Sequence, residues 1–272
     1  RRGSSTTTAI LQLIDSASRC MNEPSLFGAA LVSFDLSQAF DNVDCQLALR
    51  KLRDHGFPEA FVHWLSDYFA NRTASIKIKG EYSGGFPISR GVPQGSVLGP
   101  PIFCAYVHDI VGSQPEITTI KYADDINLVI PLPTSNEDSI RQSIDTQTEH
   151  IRRVCSEFHL PLNAVKSKVL IVSRRPVHFT VPPLLPVSSQ LRVLGVVVDN
   201  KLKWNAHIAY VCNRVAQRLH IIRKLKPMLS YDELHLVYTS IIRSLIEYCS
   251  PVFVGLTRKL DERLRKVDRR AH

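Results

Sequence analysis

No apolar run in these 272 residues reaches the length of about twenty that a membrane-spanning helix requires, so no membrane partner is expected. The opening stretch RRGSSTTTAILQL has neither the apolar core nor the small-residue cleavage site of a secretory signal. No CxxC pair occurs. The six cysteines, Cys20, Cys45, Cys104, Cys155, Cys212 and Cys249, are scattered, which argues against a zinc module. Scattered cysteines are expected to be buried free thiols in a reducing compartment, so an intracellular rather than secreted location is expected. Internal repeats and low-complexity tracts are also missing.

What is present is an apolar share of 44%, enough for a sizeable core in one large domain or two small ones. The net charge is +9, and the whole surplus lies in residues 201–272; residues 1–200 balance. A neutral body with a basic C-terminal quarter suggests one segment that touches a polyanion. Solvated helix faces are the ordinary alternative. The only candidate boundary lies near residue 200, where composition turns helical and basic.

Along the chain, residues 4–20 read as a helix capped at Ser4 or Ser5, with Ile10, Leu13, Ile14 and Ala17 on one face. LFGAALVSFDL is a buried strand that ends at Asp35. Asp44 caps a helix over residues 45–55, and Gly56 stops it. Pro58 opens a second helix over residues 59–70, expected to bury Phe61, Trp64, Leu65 and Phe69. SIKIKGEYSGGFPI alternates and turns at Gly80. Gly91, Pro93 and Gly95 make a tight loop before a helix expected over residues 96–111. Asn136 caps another helix, with a stripe of Ile140, Ile144, Ile151, Val154 and Phe158. LPLNAVKSKVLIVSR is a turn entering a strand. LRVLGVVVD reads as a strand pair or a strand bent at Gly195. Helices are expected over residues 207–224, 232–248 and 258–270.

ITTIKYADDINLVI carries the chemistry. Two alternating apolar runs flank Asp124 and Asp125, which reads as a hairpin with both aspartates at its turn. Charges that close repel unless a cation sits between them. A hard cation such as Mg²⁺ suits carboxylate oxygens. An Asp-Asp pair alone is usually a solvated turn. The second strand ending, at Asp35, changes that reading: three carboxylates at two neighbouring strand ends would suit two metal ions about 3.5–4 Å apart.

FDLSQAFD, GVPQGSVLGP and YADD stand in that order, and together they resemble the palm motifs of reverse transcriptases. The likeness is greatest to the non-LTR (LINE-type) retrotransposon polymerases. LNAVKSK, LGVVVDNKLKW and LIEYCSPVFVG continue it over nearly the whole chain. The resemblance implies an α+β right-hand polymerase fold: an antiparallel palm sheet with helices on one face, partial fingers and a helical thumb. Residues 1–30 would be a fingers remnant, residues 31–200 the palm with a fingers segment at about 56–90, and residues 201–272 the basic thumb.

By the same resemblance Asp35, Asp124 and Asp125 are the catalytic metal ligands, with the Leu36 carbonyl completing one shell. The ions would be two Mg²⁺, with Mn²⁺ as a substitute. Phe40 would lie under the incoming sugar and exclude a 2′-hydroxyl; core packing is its ordinary reading. Gln94 and Gly95 would contact the nucleotide or template, with Ser37 and Arg90 as weaker triphosphate contacts. Lys166 would neutralise, and protonate, the leaving pyrophosphate. The implied partners are an RNA template, a DNA primer, their RNA–DNA hybrid and dNTP, in a nuclear or cytoplasmic ribonucleoprotein.

The chain departs from the family's habits at Gln38, where lysine is common, at Pro101, where leucine is, and at His108, where asparagine is. The chain also starts within the expected fingers and ends near the thumb, so an inactive nucleic-acid-binding remnant is the alternative. A two-metal nuclease of the RNase H type would share the carboxylates but has no need of a PQG loop. A maturase or a telomerase would share the palm.

Overall fold

In the computed structural model, which describes residues 4–269, Ser5 and Thr8 close a reciprocal capping box on the first helix, α1 (Thr6–Asn22). The expected fingers and thumb residues at 1–3 and 270–272 lie outside the described residues. Ile10, Leu13 and Ala17 of α1 are buried, as their spacing requires. The chain then runs into β1 (Gly28–Asp35), whose first five residues are buried on both faces. Asp44 caps α2 (Cys45–Asp54) by accepting the Leu47 N–H at 2.9 Å. Pro58 precedes α3 (Glu59–Phe69).

The face of α3 differs from expectation. Val62, Leu65 and Phe69 are buried, but Trp64 is 51% exposed and Phe61 only half-buried. Phe57, Phe61, Trp64 and Tyr68 instead stack in a row, with centroids 5.8–6.0 Å apart. Such a row has the same helical spacing as a core stripe, which is why pattern alone misplaces it.

Four short strands follow: β2 (Thr73–Ala74), β3 (Lys77–Ile78), β4 (Glu81–Tyr82) and β5 (Phe86–Pro87). They form two nested antiparallel pairs, β2 with β5 and β3 with β4. The inner loop, Lys79-Gly80, has positive φ at both residues, as a two-residue hairpin prefers. Next comes α4 (Gly99–Tyr106), shorter than the expected span of residues 96–111. Pro100 and Pro101 fit only a first helical turn, so the helix cannot begin much earlier.

Hairpin strands β6 (Thr118–Tyr122) and β7 (Asp125–Leu132) lead to α5 (Glu137–Glu157), capped by Asn136. β8 (Lys168–Ser173) returns to the sheet. The main sheet has the order β6-β7-β1-β8, with every neighbouring pair antiparallel. Its two inner strands are β7 and β1, each flanked on both sides.

Alternate residues of β1 build two cores. Ala30, Val32 and Phe34 join α2, α3, α4 and α5 in one. Ala29 and Leu31 face the other way, toward Leu13 and Ala17 of α1. Each fully buried large side chain contributes roughly 1.5–3 kcal/mol. The main group of helices therefore covers one face, and the opposite face is closed by α1 and the hairpin of β9 (Gln190–Val193) and β10 (Val196–Asp199). Leu194 and Gly195 form that hairpin's loop, so LRVLGVVVD is a strand pair.

The remaining chain is helical: α6 (Asn205–Leu225), α7 (Tyr231–Val237), a π-helical stretch (Tyr238–Arg243), α8 (Ser244–Glu247) and α9 (Arg258–Arg269). It does not hang free of the sheet. Val252 and Phe253 pack with Ile10 of α1 and Val196 of β10. Among the described residues no helix is long and apolar enough to cross a membrane. All six cysteines are free thiols, but Cys104 is exposed and Cys20 only half-buried, against the expectation that all are buried.

Candidate active site

β1 ends where β7 begins, at the same edge of the sheet. Their register places Asp35 directly opposite Asp125. Opposed residues of an antiparallel pair have Cα atoms about 4.5–5.5 Å apart. On the other side of β7, Tyr122 pairs with Asp125, so the β6–β7 loop is the two residues Ala123 and Asp124. The hairpin is thus offset by one residue from the sequence expectation: Asp124 stands in the turn, and Asp125 is the first residue of the strand. Ala123 carries φ 52°, the left-handed region that a tight hairpin turn demands of its first loop residue.

Asp125 responds to its surroundings. Burial first, then the neighbouring Asp124 and Asp35 carboxylates, push the Asp125 carboxyl above its ordinary range. Their ligand atoms are not closed into a cluster. Among the described residues, atoms that all lie within 4.8 Å of one another occur at His55, His108 and Asp109. The ligand atoms of the three aspartates do not all come that close. A set of hard oxygens with crowded negative charge is what Mg²⁺ or Mn²⁺ requires, so the donors fit such ions.

A third segment completes the site. Residues 161–168 are fastened to the end of β1 by backbone bonds: Asn163 donates its N–H to the Asp35 carbonyl at 2.8 Å, and Ser37 donates to the Pro161 carbonyl at 2.9 Å. Leu36 and Leu162 form the bridge between them. Ser167 Oγ accepts the Asp35 N–H at 3.2 Å and donates to the Asn163 carbonyl at 2.8 Å. This frame brings Lys166 Nζ to 3.5 Å from Asp35 Oδ2. Asn163 and Ser167 were not picked out as site residues in the sequence. Their signal is local: an Asn at a turn with a Ser four residues on, each able to bond nearby backbone.

The other expected residues fall around this edge. Leu36 is buried, with its side chain in the core. Phe40 is half-buried and stacked on Phe103, with centroids 4.4 Å apart at 23°. Gln94 Nε2 donates to Asp41 Oδ1 at 2.8 Å, which fixes the exposed loop against the segment after β1. Gly95 has φ 82° and open space around it; the close approach belongs to Gly91, where a Cβ would meet the Asp41 backbone at 2.9 Å. Arg90 is exposed, and its carbonyl accepts from Arg72 at 3.0 Å. Two strand ends and one fastened loop thus bring Asp35, Asp124, Asp125 and Lys166 to one edge, with Phe40 and Gln94 on the segments that follow β1 and precede α4.

Residues 7–198 match the family model described as reverse transcriptase (RNA-dependent DNA polymerase). Among curated proteins, the chain is 25% identical over 237 residues to a probable RNA-directed DNA polymerase from transposon BS of Drosophila melanogaster. That match covers 82% of this chain and 26% of the relative. It is 29% identical to a putative 115 kDa protein in the type-1 retrotransposable element R1DM of the same fly, over 66% of this chain and 18% of that one. The chain therefore spans about a quarter or less of the length of these relatives. Among solved structures, apo telomerase from Candida tropicalis superposes with a TM-score of 0.53 at 12% identity, covering 98% of this chain and 46% of that one. That likeness concerns the fold.

Proposed function

The chain belongs to the reverse transcriptase (RNA-dependent DNA polymerase) family, and from that premise we propose that it is the polymerase core of a non-LTR retroelement. It would join deoxynucleotides to a primer 3′-hydroxyl along an RNA template. The observation that carries this reading is the register that sets Asp35 against Asp125, with Asp124 in the adjoining turn.

In this reading residues 31–200 are the palm, with a fingers segment at about 56–90, residues 4–30 belong to the fingers, and the basic helices after residue 200 are the thumb. Asp35, Asp124 and Asp125 would hold the metal ions, with the Leu36 carbonyl as a further ligand. Bound Mg²⁺ supplies Lewis acidity toward the primer hydroxyl and the triphosphate. The chain's own residues do the rest. Lys166, held 3.5 Å from Asp35, places an ammonium where pyrophosphate departs, neutralises it and gives it a proton. Phe40 is kept rigid by its stack on Phe103 and so presents a fixed edge to the sugar, which rejects a 2′-hydroxyl by contact. Asp41 orients Gln94 toward the nucleotide or template strand. The thumb helices contact phosphates, which gives binding that is independent of sequence and weakened by salt.

Primer extension tests this. The chain is given an RNA template, an annealed DNA primer, dNTPs and Mg²⁺, beside an Asp124→Asn control. Extension by the natural sequence and none by the variant supports the reading. A folded chain that binds the hybrid yet extends nothing, or a variant that extends equally, sinks it.

A further inference from the structure

Two helix ends meet at a second cluster of potential ligands, which includes none of Asp35, Asp124 and Asp125. His55 closes α2, and His108 and Asp109 follow the end of α4. The two helices pack side by side. One ligand atom from each of His55, His108 and Asp109 lies within 4.8 Å of the other two. His55 Nε2 is 3.6 Å from Asp109 Oδ1, and the two imidazoles meet edge-on with centroids 5.1 Å apart. From this geometry we propose that His55, His108 and Asp109 form a second metal site, for a borderline transition-metal ion of the Zn²⁺ type.

The donor set selects the ion. Two imidazoles and one carboxylate suit Zn²⁺ with one position left open, whereas Mg²⁺ prefers oxygen alone. Ligand atoms around a tetrahedral Zn²⁺ stand roughly 3.3 Å apart, from bond lengths of about 2.0–2.1 Å. The observed 3.6 Å between His55 and Asp109 is a few tenths of an ångström from that.

The surroundings favour positive charge. Both helices present their C-terminal ends here, each carrying partial negative charge. Lys121 already donates to the Val107 and His108 carbonyls at the end of α4. Lys51 donates to Asp109 Oδ2, the oxygen turned away from His55, and leaves Oδ1 facing the imidazole. A ligand carboxylate held by such an outer hydrogen bond is common at metal sites. The two ammonium groups repel a further cation, so binding is weaker than a bare donor count implies.

The open position is accessible. His55 and His108 line a cavity of about 780 Å³ together with Phe40, Phe103 and Cys104. An ion there ties the ends of α2 and α4 together beside the Phe40–Phe103 stack. The site neither uses nor requires the aspartates, so it stands or falls apart from the polymerase reading.

The test titrates the 272-residue chain with Zn²⁺ by calorimetry under saturating Mg²⁺. One Zn²⁺ per chain is expected. A His55→Ala/His108→Asn double variant should bind it at least about tenfold more weakly, since even losses around a ligand set cost that much. Asp124→Asn should leave it unchanged. Zn²⁺ bound equally by the double variant overturns the proposal. Crystals of the natural sequence soaked in Zn²⁺ give a check that needs no variant. An anomalous peak between His55, His108 and Asp109 supports the site; a peak confined to the three aspartates overturns it.

Discussion

Asp35 on β1 and Asp125 on β7 face each other across an antiparallel register, so two acidic side chains meet at one sheet edge although 90 positions separate them. Nothing local compels that meeting. The register is set by the buried alternation of Ala30, Val32 and Phe34 against Ile126, Leu128 and Ile130. A slip of one residue would send each β1 side chain into the opposite core and break the pairing of Asp35 with Asp125.

Burying Asp125 beside two other carboxylates has a measurable cost. Asp125 titrates above its ordinary 3.8 in the fold, so its protonated form is the better folded one. Stability from this group is greatest below 3.8 and is lost as the pH climbs through the raised value. At pH 7 the penalty is fully present. Asp125→Asn should therefore melt at higher urea than the natural sequence at pH 7, in the absence of divalent ions, and the gain should shrink toward pH 4. A variant less stable at pH 7 would show that burial and repulsion of the Asp125 charge do not dominate.

Phe40→Val separates fit from packing. Loss of the 4.4 Å stack on Phe103 should cost about 1–3 kcal/mol of stability. The same change should let ribonucleotides compete with deoxynucleotides. Matched single-nucleotide incorporation rates measure it, and unchanged sugar discrimination would leave Phe40 a packing residue only.

Neighbouring residues 166 and 167 should behave oppositely. Ser167→Ala removes the acceptor of the Asp35 N–H, and an unpaired backbone donor there costs about 1–3 kcal/mol. Lys166 is 68% exposed, and its pair with Asp35 is worth at most about 1 kcal/mol. Lys166→Ala should thus leave the urea midpoint almost unmoved while slowing single-turnover nucleotide addition. Equal effects on stability and rate for both variants would argue against separate roles.

Below neutral pH the weak point is His207. Burial lowers its pKa to about 4 from 6.5. Its Nδ1 accepts the Val197 N–H at 3.3 Å, and the ring lies 5.1 Å from that of Phe253. The folded chain keeps this ring neutral while the unfolded chain takes up a proton. Stability is therefore constant above 6.5 and falls as the pH drops from 6.5 to 4, by up to about 3 kcal/mol. His207→Gln keeps an acceptor for Val197 and should flatten that slope in urea melts taken across the interval.

Much of the fold is legible in local pattern. Ser5, Asp44, Asn136 and the alternation of β1 and β7 each satisfy a nearby requirement, so each element lies close to where spacing puts it. The reverse transcriptase resemblance is likewise carried by short ordered motifs, and the family match bears it out. What local pattern misses depends on distant chain. Trp64 sits at core spacing, yet among the described residues no later element buries it. The second face of the sheet is closed by α1 and by β9–β10, which lie far apart in sequence. His55 and His108, 53 positions apart, meet only because α2 and α4 pack together.

Ala123 holds the tip of the β6–β7 hairpin in the left-handed region. Left-handed backbone costs an alanine roughly 1 kcal/mol more than it costs a glycine. In exchange, the methyl group denies the loop most of the wandering a glycine would permit. The acidic fingertip is therefore stiff in the fold itself, and on the proposed reading the entropy of shaping it is lost once, at folding, and not again at each nucleotide added.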